Sequence, residues 1–174
     1  QRQNVRTYRN DTLIAVESFD GKGNLLHKSD LKDHIIRFKA YYKDGILYSE
    51  GDLKDGMQEG TWKYYNPLGI VQKELNYRND LLQGLQKTYY DNGSIHERYE
   101  TDSSNIIGPY REYYINGKVK SAGSYVKAGK EGKWLTWYVN DSLESRVFYK
   151  EGDIAGWSFS YAPDGKTSSV EGWD

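Results

Sequence analysis

The sequence predicts an all-β fold, an elongated antiparallel meander of about six to seven β-hairpin repeats in a single curled or twisted sheet. Three observations carry that prediction. Glycine recurs at 24-residue steps, at Gly60, Gly84, Gly108, Gly132 and Gly156. An aromatic residue recurs at the same step, at Tyr41, Tyr65, Tyr89, Tyr113, Trp137 and Tyr161. Between strand-like runs stand Asp44-Gly45, Asn92-Gly93, Asn116-Gly117 and Asp164-Gly165. Such dipeptides are the strongest short signal for a hairpin, because glycine takes a positive φ without steric cost.

Residues 1–174 read as one repeat domain. Residues 1–11 are a cap or a loose end, and 12–37 a degenerate first repeat, in which Gly23 precedes Gly45 by 22 residues instead of 24. Regular repeats fill 38–174. In each, a run such as Thr61–Tyr65 is the first strand and Asn66–Gly69 the turn. The second strand, Ile70–Tyr77, alternates with period two, and the phase Val71, Lys73, Leu75, Tyr77 is the expected inner face. A looser connection follows over Tyr77–Gly84, with counterparts at Lys54–Gly60 and Lys150–Gly156. Glycine recurs too often for helix, except as a cap at one end.

Composition fits a thin, half-wet core. Apolar residues make up only 37% of the 174, whereas aromatics reach 15%, with 17 tyrosines and 5 tryptophans. These side chains bury an apolar ring and keep a polar tip. The formal charge of −1 is spread without a basic block, which argues against nucleic acid and against an electrostatic membrane footprint. Cysteine is absent, so disulfides, thiolate metal sites and a cysteine nucleophile are excluded. The chain starts at Gln1 without Met, which fits an export signal or lipid anchor already removed. The compartment stays open between cytoplasm and cell envelope.

No catalytic set emerges. His27, His34 and His96 are scattered, and Glu97 beside His96 is expected on the opposite face of its strand. Acidic residues follow the repeat, Glu50 with Glu74 and Glu59 with Glu131, as strand or turn partners do. Asp52, Asp55 and Glu59 form only a fragment of a calcium ladder. No metal site, cofactor or enzymatic activity is expected. The remaining candidate is the aromatic column: Tyr41, Tyr65, Tyr89, Tyr113, Trp137 and Tyr161, together with Trp62 and Trp134, as a binding surface.

The unit G-x-W-x-x-Y, seen in Gly60-Thr61-Trp62-Lys63-Tyr64-Tyr65 and, with Trp137 for the Tyr, in Gly132-Lys133-Trp134 with Trp137-Tyr138, resembles the MORN repeat in its bacterial variant form. The likeness covers residues 36–172. It departs where Gln86 and Ser158 replace the tryptophan, and where Asp80 and Asp141 stand for turn glycines. In the last repeat, Trp157, Phe159 and Tyr161 alternate one place earlier than Trp62 or Trp134 would suggest. The resemblance implies hairpins in an extended sheet that serves as a scaffold or binding surface, in a family whose bacterial members include YwqK-type antitoxins. A non-enzymatic interaction module is thus expected, with an unidentified protein or a second copy (a homodimer) as partner. The alternatives are a cell-surface carbohydrate- or choline-binding repeat protein and a lipid binder. Short aromatic hairpins carry the carbohydrate alternative, and the near-neutral charge weighs against the lipid one.

Overall fold

The computed structural model describes residues 3–127 and 129–173, and among them there is no helix. The backbone gathers into two compact units, Gln1–Gly84 and Leu85–Asp174.

The first unit holds β1 (Gln3–Arg9), β2 (Thr12–Phe19), β3 (Leu25–Asp30), β4 (Ile35–Tyr41), β5 (Leu47–Lys54), β6 (Met57–Tyr65), β7 (Val71–Arg78) and the short β8 (Leu81–Leu82). The stretch expected as a cap or loose end carries strand β1, and residues 1 and 2 lie outside the described residues. Strands β1, β2 and β3 form an antiparallel sheet of their own, and β4 to β8 pair in chain order. Leu13 and Val16 of β2 pack on Ile36, Phe38, Ala40, Leu53 and Trp62, so this unit has two layers and a closed core. The Ser18 hydroxyl, also buried, donates to the Lys39 carbonyl.

The second unit holds β9 (Gly84–Tyr89), β10 (Ile95–Asp102), β11 (Asn105–Tyr113), β12 (Val119–Val126), β13 (Gly129–Trp137), β14 (Leu143–Lys150), β15 (Asp153–Ile154), β16 (Gly156–Tyr161) and β17 (Thr167–Trp173). They pair in chain order, with β15 and β16 both beside β14. Fewer side chains are buried here. Trp134, Thr101 and Gln86 are, and the Gln86 amide donates to Thr101 Oγ1 at 2.8 Å.

The turns expected at Asp-Gly and Asn-Gly form. Gly45 N–H donates to the Tyr42 carbonyl, Tyr42 N–H to that of Ile46, and Gly45 sits at φ 87°. This is the three-residue loop whose last residue is left-handed. The pattern repeats at Gly69, Gly93, Gly117 and Gly165, and Asp141 fills the same place at φ 69°.

Two expectations are corrected. The looser connections are tight two-residue turns, with positive φ at Asp55 and Gly56, Asn79 and Asp80, Ser103 and Ser104, and Glu151 and Gly152. Tyr77 pairs with Leu82 and Arg78 with Leu81 across one of them. Positive φ at both central residues matches the strands' right-handed twist. Gly60, Gly108 and Gly132 are kinks inside strands, at φ 69°, 65° and 67°, and do not end loops.

The alternating phase also breaks. Tyr65 lies across from Val71 but Tyr64 across from Lys73, so Gln72 is an extra residue, a β-bulge. Paired residues share a face, so Val71 turns outward with Tyr65 while Lys73, Leu75 and Tyr77 stay inside. The same shift puts Leu47, Val119 and Leu143 opposite Tyr41, Tyr113 and Trp137. In the last repeat Gly156 and Tyr161 keep the common register, with Tyr161 across from Thr167. Trp157 therefore takes the outward place of Thr61 and is exposed.

Candidate functional site

The eight aromatic residues singled out in the sequence do not share a surface. Trp62 and Trp134 lie on the inner faces and are only 4% and 5% exposed. Each indole lies flat over a glycine. A Cβ on Gly51 would stand 2.3 Å from the Trp62 ring, and one on Gly123 would stand 2.2 Å from Trp134. Each indole N–H donates to a backbone carbonyl, Trp62 to Asp52 and Trp134 to Ser124, both at 3.1 Å. Both rings are thus fixed parts of the core.

Tyr41 and Tyr65 in the first unit, and Tyr89, Tyr113, Trp137 and Tyr161 in the second, lie on the outer faces and are half-buried. The Tyr65 hydroxyl donates to Glu50 Oε1 at 2.6 Å, and Lys39 Nζ stands 3.3 Å from Glu50 Oε2. Burial and this bond to Glu50 push the Tyr65 phenol up. Conversely, the phenol and then Lys39 hold the Glu50 carboxyl below its ordinary value.

A second tyrosine column escaped the sequence reading. The phenol of Tyr42 donates to the carbonyl of Tyr65 at 2.8 Å, Tyr90 to Tyr113 at 2.7 Å, Tyr114 to Trp137 at 2.7 Å, and Tyr138 to Tyr161 at 2.9 Å. Every phenol reaches 23 residues ahead, to the main chain of the outer column in the next repeat. Backbone carbonyls beside bulges are satisfied this way. The signal was available, since Tyr42, Tyr90, Tyr114 and Tyr138 are separated by multiples of 24 residues. At the intervening step, Asn66 caps its own loop, accepting from the N–H groups of Leu68 and Ile70.

The inner face of the first unit carries two adjoining concavities. A cavity of about 410 Å³ lies between Asn4 and Arg6 of β1 and the floor made by Phe38, Tyr48, Trp62 and Tyr64. A second, of about 440 Å³, is lined by Tyr42, Tyr48, Tyr64, Lys73, Leu75 and Tyr77. The two share Tyr48 and Tyr64. Edge-to-face contacts lock the rings, with centroids 5.2 Å apart for Tyr42–Tyr48, 6.1 Å for Tyr48–Tyr64 and 6.4 Å for Trp62–Tyr77. Polar tips rim this apolar floor, among them the Tyr64 and Tyr77 hydroxyls, 3.3 Å apart, and the exposed Lys73.

The inner face of the second unit has a comparable ring row, Tyr99, Tyr110, Tyr125, Trp134 and Tyr149, with Lys130 Nζ 4.3 Å from the Trp134 centroid. Beside it lies a polar network. Tyr110 donates to Glu97 Oε1 at 2.7 Å, Thr88 to Glu97 Oε2 at 3.2 Å, and Lys120 to Glu112 at 2.7 Å, while His96 Nε2 stands 3.6 Å from Glu112. His96 and Glu97 were expected on opposite faces. Both reach β11 side chains of one face, Glu112 and Tyr110. Burial and then Glu97 push the Tyr110 phenol up. Each carboxylate already has hydroxyl or ammonium partners, so the network reads as a polar clamp within the sheet. His27 bonds the Arg37 carbonyl at 2.8 Å, and His34 pairs with Asp55 at 3.1 Å. Among the described residues, no group of three or more His, Asp or Glu is placed to hold a metal ion.

A family model described as MORN repeat variant matches residues 58–79, 82–102 and 107–127. No curated protein matches the chain. Among solved structures, a crystal structure of a protein of unknown function from Bacteroides fragilis is similar at 8% identity, over 86% of this chain and 92% of that one, with a TM-score of 0.18.

Proposed function

We propose that the chain, three stretches of which match the MORN repeat variant, a repeat that generally serves as an interaction module, binds an extended segment of a protein partner in the aromatic trough of its first unit. One observation supports this reading above others: two adjoining cavities of about 410 and 440 Å³ share Tyr48 and Tyr64 over a floor of fixed rings. Pockets of roughly 300–1,000 Å³ with an apolar floor and a few polar groups are the usual form of a binding site. Rings already locked by their neighbours lose little freedom on binding, which favours affinity. The tyrosine hydroxyls and Lys73 at the rim offer partners to the backbone groups of an extended chain.

The test is selection from a phage-displayed peptide library, followed by fluorescence anisotropy on the enriched peptide. Tyr48→Ala and Lys73→Glu are each expected to weaken binding about tenfold or more, on the order of 1.4 kcal/mol. The double variant Tyr89→Ala/Tyr113→Ala, on the outer face of the second unit, is expected to bind as the parent does. The converse result, with loss only in the double variant, would refute the trough and move the site to the outer column. Enrichment on a glycan array, with no peptide selected, would favour carbohydrate recognition instead.

A further inference from the structure

The outer face of the first unit carries a row of charges that alternate in sign. Lys39 lies directly across from Glu50, Glu50 from Lys63, and Lys63 from Glu74. The ammonium groups of Lys39 and Lys63 stand 3.3 and 3.7 Å from the carboxylates of Glu50 and Glu74. Opposite charges directly across strands stabilise a sheet, and like charges there destabilise it.

In the second unit the same row breaks this rule. The residue 24 positions after Glu74 is Arg98, and it lies directly across from Arg111. Both are exposed, and neither makes an ion pair among the described residues. No acid enters farther along the row. Arg111 faces Ala122, Ala122 faces Leu135, and Leu135 faces Arg146, whose guanidinium lies over the Phe159 ring at 4.3 Å. Glu100 stands two residues on from Arg98 on the same face and lines the same surface. It lies across from Ile107 and is paired with neither arginine. A small cavity of about 210 Å³ lies here, lined by Leu85, Arg98, Tyr99, Glu100, Pro109 and Arg111.

We propose that Arg98 and Arg111 receive the carboxylate side chain of an acidic, extended segment of a protein partner. Two guanidinium groups held side by side on neighbouring strands are donors of the kind that grip a carboxylate with paired hydrogen bonds. The cavity is smaller than an ordinary small-molecule site, and it suits one side chain. Leu85 and Pro109 supply apolar walls for the methylenes of a Glu or Asp. Glu100 at the rim repels a doubly charged phosphate more than a single carboxylate. Tyr113 follows Arg111 on the same face of β11 and extends the surface along the strand, as a bound segment with more than one contact requires. This site lies on a different face and unit from the trough and does not depend on it.

The test uses a fluorescently labelled hexaglutamate peptide, with inorganic phosphate and equimolar phosphatidylcholine–phosphatidylserine vesicles as separate arms. The parent chain is expected to bind the peptide at low salt and to release it as salt rises. Arg98→Glu restores the alternation opposite Arg111. It is expected to lower peptide affinity about tenfold or more while raising Tm, so binding and stability move in opposite directions. Arg111→Gln is expected to lower affinity to a similar degree, and Lys63→Gln to leave it unchanged. Circular dichroism identifies any variant that fails to fold, and then Arg111→Gln decides. Unchanged peptide affinity in the folded Arg98 and Arg111 variants overturns the proposal. So does tighter binding of phosphate or vesicles than of the peptide, or a lowered Tm in folded Arg98→Glu.

Discussion

Substituting Gly51 by alanine tests how the tryptophans are held. Gly51 lies inside β5 and is not in the left-handed region, so the backbone alone favours alanine by about 0.5–1 kcal/mol. The ring above it reverses that sign. The new Cβ would stand 2.3, 2.5 and 2.5 Å from Trp62 Cδ2, Cε2 and Cγ, more than an ångström inside ordinary contact. Overpacking of this kind costs about 1–3 kcal/mol. If the indole lifts to relieve it, the bond to the Asp52 carbonyl is lost, at about 1 kcal/mol, along with part of the ring's burial. Gly51→Ala should therefore destabilise by about 2–4 kcal/mol. The assay is urea unfolding followed by tryptophan fluorescence, with a double-mutant cycle against Trp62→Ala. That single change should cost about 3–5 kcal/mol, and the double variant little more than Trp62→Ala alone. A coupling of about 2 kcal/mol is expected. A neutral or stabilising Gly51→Ala, or strict additivity, would show that the ring does not need the glycine.

Two further predictions follow from hydrogen bonds. Tyr114→Phe and Tyr138→Phe each remove a phenol from a backbone carbonyl, at 2.7 and 2.9 Å. Each should cost about 1 kcal/mol in urea unfolding. Tyr65→Phe should lose about 0.5–1 kcal/mol near neutral pH, a figure reduced for the partial exposure of Glu50. The Glu50 carboxyl is held below its ordinary value of 4.5, so its contribution is full above that pH and is lost as pH falls through the folded pKa. The Tyr65 phenol is pushed above its ordinary 10.0, so its contribution is lost as pH rises past 10. The Tm gap between parent and Tyr65→Phe should thus be widest near pH 7 and shrink at both ends. A gap constant from pH 3 to 11 would remove Glu50 from the account.

Much of the fold was legible because one tile is copied. Turn glycines such as Gly45 and Gly93 mark places where φ must be positive, and only a few residue types tolerate that. What could not be read was which way side chains point after the turn. The bulge at Gln72 has no composition of its own, and a single inserted residue sends Val71 outward while Leu75 stays in. The two-residue turns resemble loose connections in sequence for a related reason. Ser103 and Ser104 take positive φ without glycine, because the strand twist on either side demands it. The trough was out of reach of a period-based reading, since Asn4 and Arg6 belong to β1, which precedes the first hairpin of the repeat pattern.

Departures from the tile fall into two physical kinds. Some are compensated: Trp62 comes with Gly51 and Trp134 with Gly123, while the equivalent places in the third repeat hold Tyr110 and Tyr99, stacked at 6.2 Å. Large over small and ring on ring fill the same space by different means, which is how packing constrains a core. The spacing of 72 residues between the two tryptophans is then a property of the pair, since the glycines beneath them are separated by the same 72. Other departures have no counterpart. When Glu50 and Glu74 give way to Arg98, the residue across the strand stays cationic, Arg111 where Lys63 stood. Folding gains nothing from that change, because it sets like charges side by side. A local choice that opposes the fold, with the residue across the strand unchanged in sign, is what the proposed carboxylate contact accounts for. Arg98 therefore carries more weight as a functional residue than Trp62, although Trp62 is the larger and more deeply buried side chain.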